Sequence, residues 1–394
     1  MRRFQGIFIV AVVVLPAIIA RVTAATPAPF VSLLMFGAAV VGASFMLAWA
    51  AETAEMDIAG GLAIAVLALI AVLPEYAVDL YFAYTSGHDH AYAAYAAANM
   101  TGSNRLLMGL GWPLVVLLGI MAARKTSTPM VALELESGSR VELGFLMVAG
   151  IIAFVAPITS SITVPLAVAL LAWFGYYLFR VAQGEVEEPE LIGLSASLAM
   201  LPPRTRRIAI VSMFTVAAIV ILLSAQPFAD SLVATGKQFG IDEFLLVQWL
   251  APLASEAPEF IVAIVFAVRG NAANAVSMLI SAKVNQWTLL IGSLPIARAI
   301  GGGGWSGLPL DSRQFEEILL TAAQTLMGVA LILALRFSRT SAWLLLGLFV
   351  IQFAVPGTTG RLAISALYGV IALGAFIKKR DHILPTLRAP FASA

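Results

Sequence analysis

Ala251 to Val268 reads APLASEAPEFIVAIVFAV, an apolar run close to the roughly 20 residues a bilayer crossing takes, with Glu256 and Glu259 on either side of Pro258. Carboxylates at that depth are costly, so they mark function by default. A similar piece stands earlier: Leu73 to Leu80, LPEYAVDL, again sets a Pro-Glu pair, Pro74 and Glu75, in an apolar run. The rest of the chain is organised around these two segments.

Hydrophobic residues make up 61% of the 394 and charged residues 11%, and the mean hydropathy is +0.95. That composition lies far outside the soluble range and reads as a polytopic, all-α membrane protein whose first partner is the lipid bilayer. A net charge of +1 gives no whole-chain attraction to nucleic acid. The absence of cysteine excludes a disulfide framework, a thiolate metal site and a thiol nucleophile. The N-terminal MRRFQGIFIVAVVVLPAII lacks a small-residue cleavage site followed by a soluble domain and reads as a retained helix.

Runs of spanning length fall at 5–20, 28–50, 58–85, 91–122, 143–157, 161–181, 207–226, 244–268, 271–297, 314–335, 341–355 and 361–377, twelve in all. The 58–85 and 91–122 runs exceed one bilayer thickness, which predicts tilt or a break at Pro74 and Pro113. With the N-terminus placed in the cytoplasm, sixteen of the 23 Lys and Arg fall on the cytoplasmic side, five on the other, and Arg105 and Lys283 inside helices. This asymmetry predicts a multi-pass protein of the cell membrane with both termini cytoplasmic. Val181 to Arg207, acidic at Glu185, Glu187, Glu188 and Glu190 and basic at Arg204, Arg206 and Arg207, reads as a cytoplasmic linker. VALELESGSRVELG at 131–144 alternates apolar and polar residues around Ser-Gly-Ser, which predicts a two-stranded hairpin.

The stretch Asn99 to Pro113 aligns without a gap on Ser281 to Pro295, and the preceding Pro-Glu pairs match within two residues. Each repeat then holds five helices, with one extra helix at each end of the chain. Five is odd, so the second repeat enters the membrane from the opposite side, the inverted-repeat plan of secondary transporters. The expected organisation is an N-terminal helix (1–25), a first repeat (26–181), a linker (182–206), a second repeat (207–357) and a C-terminal helix with a basic tail (358–394).

Leu73-Pro74-Glu75 with Asn99-Met-Thr-Gly-Ser-Asn104, and Ala257-Pro258-Glu259 with Ser281 to Asn285, give the chain its resemblance to the sodium/calcium exchanger family of the cation:calcium exchanger superfamily. The resemblance implies that paired glutamates and nearby hydroxyl and amide oxygens coordinate calcium and sodium. It assigns Glu75 and Ser103, with Glu259 and Asn285, to the ion site. Where the family carries Gly-Thr-Ser before Leu-Pro-Glu, this chain has Ala71-Val72 in one repeat and Ser255-Glu256 in the other, which removes hydroxyl ligands. Protons are therefore the alternative counter-ion.

The residues support such a site on their own chemistry. Calcium takes six to eight oxygen ligands, and a proline before each glutamate removes a backbone donor and frees carbonyl oxygens. Glu75 and Asp79 are four apart, and Glu256 and Glu259 three apart, so each pair shares a helix face. Asn99 and Ser103, and likewise Ser281 and Asn285, give each following helix a polar stripe. Together with Ser255 these form the candidate ligand set: Glu75, Asn99, Ser103, Ser255, Glu256, Glu259, Ser281 and Asn285. Arg105 and Lys283 point away from the stripes. A charge count assigns Arg105 to Asp79 and Lys283 to Glu256, leaving two negatives for one calcium or two sodium ions. Glu256 is thus either an extra ligand or the partner of Lys283.

His88-Asp89-His90 reads as a solvated loop, and Gly301 to Gly304 as a flexible one, since no P-loop lysine pattern accompanies it. No Ser-His-Asp set or HExxH supports hydrolysis, and no cofactor is expected. An intramembrane enzyme using Glu256 and Glu259 would leave the repeated Pro-Glu segment unexplained. A passive channel would need polar residues along whole helices, whereas here they cluster at one depth. The expectation is an alternating-access antiporter exchanging calcium for sodium, with protons as the alternative.

Overall fold

Inside a bilayer the backbone must satisfy its own hydrogen bonds, and the apolar runs do so as helices. The structure, a computed structural model, describes residues 5–57, 70, 72–125, 130–183, 191, 193–355 and 357–392. Residues 58–69 and 71 of the expected 58–85 span, and the acidic run at Glu185, Glu187, Glu188 and Glu190, lie outside the described residues. After α1 (Gln5–Val22), the first half runs through α2 (Pro29–Ala54), α3 (Leu73–Thr85), α4 (Ala91–Leu106), α5 (Trp112–Lys125), α6 (Ser139–Ile152) and α7 (Val164–Val181). The second runs through α8 (Pro203–Phe239), α9 (Glu243–Val268), α10 (Ala272–Asn285), α11 (Ile291–Arg298), α12 (Ser312–Ile332) and α13 (Arg339–Ala354), before α14 (Gly357–Lys378), the last long helix, with a short one at Ile383–Arg388 after it. Among the described residues nine helices are long and apolar enough to cross a membrane.

The break expected near Pro113 is present as a widened π turn, Leu107–Gly111, between α4 and α5. Pro113 has no N–H for the carbonyl of Gly109, and the wider turn absorbs the mismatch. The second half also has a π turn, Gln286–Leu290, but it ends before Ile291, whose carbonyl is the one Pro295 leaves without a donor. At Pro74 the chain also breaks: Val72 is in a turn, and Pro74 stands in the first turn of α3, where a missing donor costs little.

The 131–144 segment is not a hairpin. Its first part, β1 (Ala132–Glu134), pairs antiparallel with the remote β4 (Arg336–Ser338), and its second part begins α6. A second ribbon joins β2 (Ser161–Ile162) to β3 (Leu308–Pro309). Counting α4 with α5, and α10 with α11, as one broken span each, every ribbon ties the connection between the third and fourth spans of one half to that between the fourth and fifth spans of the other. Those connections share a membrane face only if the halves are inverted. In parallel repeats they would lie about 30 Å apart, across the hydrocarbon.

The chain divides into two compact units, residues 1–82 with 178–258, and residues 83–177 with 259–393. The boundaries cut α3 between Phe82 and Ala83, α7 between Tyr177 and Leu178, and α9 between Pro258 and Glu259. In the first unit, Gly37 of α2 lets the Phe228 ring of α8 approach so closely that a Cβ would sit 2.9 Å from it. Polar ties secure the C-terminal end of α2: Ser195 donates to Glu52 at 2.6 Å, and Arg206 binds both carboxylate oxygens of Asp57 at 2.7 Å. The α8 helix extends well past the expected 207–226 span and carries Asp230, which accepts from Tyr81 at 2.7 Å.

In the second unit Gly301 and Gly303 of the glycine run pack closely, while Gly302 and Gly304 are exposed. The run enters a widened turn, Ala299–Gly303, where a Cβ on Gly301 would lie 1.9 Å from the Tyr84 carbonyl oxygen. His88, Asp89 and His90 form an exposed turn, with the Asp89 carboxylate accepting from the Ala91 amide at the start of α4.

Candidate functional site

The first unit holds Glu75 and Asp79, one turn apart on α3, and Ser255 and Glu256, adjacent on α9; all four are buried. Pro258 cannot donate to the carbonyl of Ala254, so α9 exposes an acceptor beside its carboxylates. Ser255 gives its hydroxyl proton back to the Ala251 carbonyl at 3.1 Å, which leaves its lone pairs as its contribution to any ligand.

The second unit holds Glu259, half-buried, and the two polar stripes. Asn99 and Ser103 on α4 are fully buried. Among the described residues, neither amide atom of Asn99 nor the hydroxyl of Ser103 has a hydrogen-bond partner. Leaving such groups unpaired costs about 1–3 kcal/mol each, a cost that an ion or its water would offset. The helices carrying the stripes meet through Lys283, fully buried on α10, whose Nζ donates to the Asn104 carbonyl at 2.6 Å and lies 5.3 Å from the Trp287 ring centre.

The stripes are not equivalent. Ser281, aligned with Asn99, shares a hydrogen bond with Tyr177 of α7, and both contact the Glu142 carboxylate of α6. Asn285, aligned with Ser103, is buried. Glu142 escaped the sequence reading because it falls in the stretch taken for a hairpin. Read as a helix, Ser139 and Glu142 share a face, and that spacing was the available signal.

Arg105 is also placed differently from the charge count. Its NH2 lies 2.5 Å from Glu317 of α12, where Asp79 was expected, and its NH1 donates to Gln352 of α13 at 3.2 Å. Among the described residues no group of three His, Cys, Asp or Glu side chains is set to hold a metal ion. A cation drawing on the candidate residues therefore needs amide, hydroxyl and backbone oxygens as well as carboxylates.

The family of sodium/calcium exchanger proteins matches residues 28–182 and 209–357, most of the chain and both halves. This chain belongs to the sodium/calcium exchanger family. The exchanger is a multi-pass membrane transporter of inorganic cations and not an enzyme. It is 42% identical to the H+/Ca2+ exchanger CAX, whose crystal structure superposes with a TM-score of 0.92 over 99% of this chain and 98% of that one. YfkE, at 15% identity and a TM-score of 0.62 over 94% of this chain and 99% of that one, shares the fold. So does the sodium-calcium exchanger NCX_Mj, at 15% identity and a TM-score of 0.54 over 84% of this chain and 99% of that one. No curated protein sequence matches the exchanger.

Proposed function

We propose that this exchanger is a calcium antiporter of the cell membrane that returns protons for calcium, with both termini cytoplasmic. The observation that carries the choice of counter-ion is the 42% identity, over 99% of the chain, to a protein described as an H+/Ca2+ exchanger. Glu75 and Glu259 are the principal ligands. Asn99 and Ser103 supply neutral oxygens, with Ser255, Glu256 and Asn285 completing the set and Ser281 reached through its engaged hydroxyl. A buried carboxylate has to be neutralised by a cation or a proton. The same carboxylates thus take either ion in turn, and the occupied, neutral site is the one that reorients.

The charge count supports this reading once Arg105 is assigned to Glu317. Glu75, Asp79, Glu256 and Glu259 then face Lys283 as the interior cation of that count, a surplus of three negatives. One calcium ion satisfies two, and a proton satisfies the third. Sodium coupling is the second reading, favoured by the family's description. Calcium uptake into liposomes under a pH gradient or a sodium gradient separates the two, with Glu259→Gln abolishing both.

A further inference from the structure

The helix α14 begins at Gly357, where the family match ends. Its Arg361 nevertheless reaches into the buried polar centre of the second unit. Arg361 Nε donates to Glu316 at 2.8 Å and lies 3.6 Å from Glu317, whose other oxygen holds Arg105. The side chains of Glu316, Glu317 and Arg105 are 3–4% exposed, and that of Arg361 is 20% exposed. Two adjacent carboxylates on α12 are thus balanced by two guanidiniums, one from the terminal helix and one from α4. Arg105 directly follows Ser103 and Asn104, and the widened turn begins two residues later.

We propose that Arg361 is a positioning residue of the transport machinery: by balancing Glu316 it leaves Glu317 to Arg105, and so fixes the turn of α4 that carries Ser103 and Asn104. This rests on the reading of Ser103 as part of the calcium site. Without Arg361, Glu316 and Glu317 compete for one guanidinium, and the uncompensated buried charge draws Arg105 out of its place. The neutral oxygens of the stripe then lose their register, while the carboxylates that exchange the ions stay intact. The terminal helix is therefore a working part of the exchanger.

The test is the kinetics of calcium uptake by the full chain in liposomes, with each variant checked for a monodisperse profile. Arg361→Gln is expected to raise the calcium KM about tenfold, the scale of coupling within a buried charge network, with little change in kcat. Arg361→Lys, which keeps the charge, should recover most of the affinity. So should the double variant Arg361→Gln with Glu316→Gln, which restores neutrality. A helix that merely anchored the fold would not be rescued by removing a second polar partner. An unchanged KM in Arg361→Gln, or a double variant no better than the single one, overturns the proposal. If Arg361→Gln does not purify, the double variant decides alone: a KM near wild type is expected, and a tenfold rise contradicts it. Wild-type protein that moves no calcium sinks the functional reading as well, whereas working wild type with unaltered variants sinks this inference only.

Discussion

The Nζ of Lys283 lies 2.6 Å from the carbonyl oxygen of Asn104, joining the polar stripe of one repeat to the end of the other. The ammonium is fully buried and bonded to backbone, so its removal strands an acceptor and loses a charged hydrogen bond. Lys283→Met should cost about 2 kcal/mol, read as a lower melting temperature of the purified protein. Lys283→Gln, which can still donate, should lose less.

Asn99 and Ser103 make the opposite prediction. Their side chains are buried without partners among the described residues, so they stabilise nothing through hydrogen bonds in the ion-free protein. Asn99→Ala and Ser103→Ala should leave the melting temperature without calcium unchanged or raised, while weakening calcium binding by about tenfold, the value of one or two lost ligand bonds. Lower stability with normal calcium affinity would assign these residues to packing.

The tie at the end of α2 predicts a pH effect outside the membrane. The Arg206 guanidinium, hydrogen-bonded to Asp57, holds that carboxyl below the usual aspartate range, with Arg207 adding to it. A depressed carboxylate contributes stability that is present above its unfolded pKa, near 4, and lost as pH falls through the folded value. Asp57→Asn should therefore lower the stability modestly at pH 7, by about 1 kcal/mol, since the two side chains keep 12% and 9% of their exposure at the protein's edge. The gap between the two proteins should close as the pH is taken below 4; a constant gap would assign the effect to something other than this charge.

Much of this was legible in the sequence. Spanning helices announce themselves because every turn must be apolar, and the Asn99–Pro113 repeat was visible because the offset is uniform. The Asn99 and Ser103 stripe followed from a four-residue spacing. The partners of the charges were not legible. Composition counts Arg105 and Asp79 as neighbours in charge, yet Glu317, more than two hundred residues away, is the carboxylate beside the guanidinium. The ribbons were hidden for a related reason: strands of two or three residues carry no periodicity, and their partners sit in the other half. The alternation at 131–136 did mark a strand. It was the continuation through Ser139 and Glu142, a helix start, that misled.

Proton coupling through Glu75 and Glu259 requires that a pH gradient alone drive calcium across the membrane. Radioactive calcium uptake into sodium-free liposomes holding the purified exchanger, driven by an imposed pH gradient, tests it most directly. The expected uptake needs no sodium, collapses when a protonophore dissipates the gradient, and is absent in Glu75→Gln and Glu259→Gln. Uptake that ignores the pH gradient and appears only with an outward sodium gradient would contradict proton coupling.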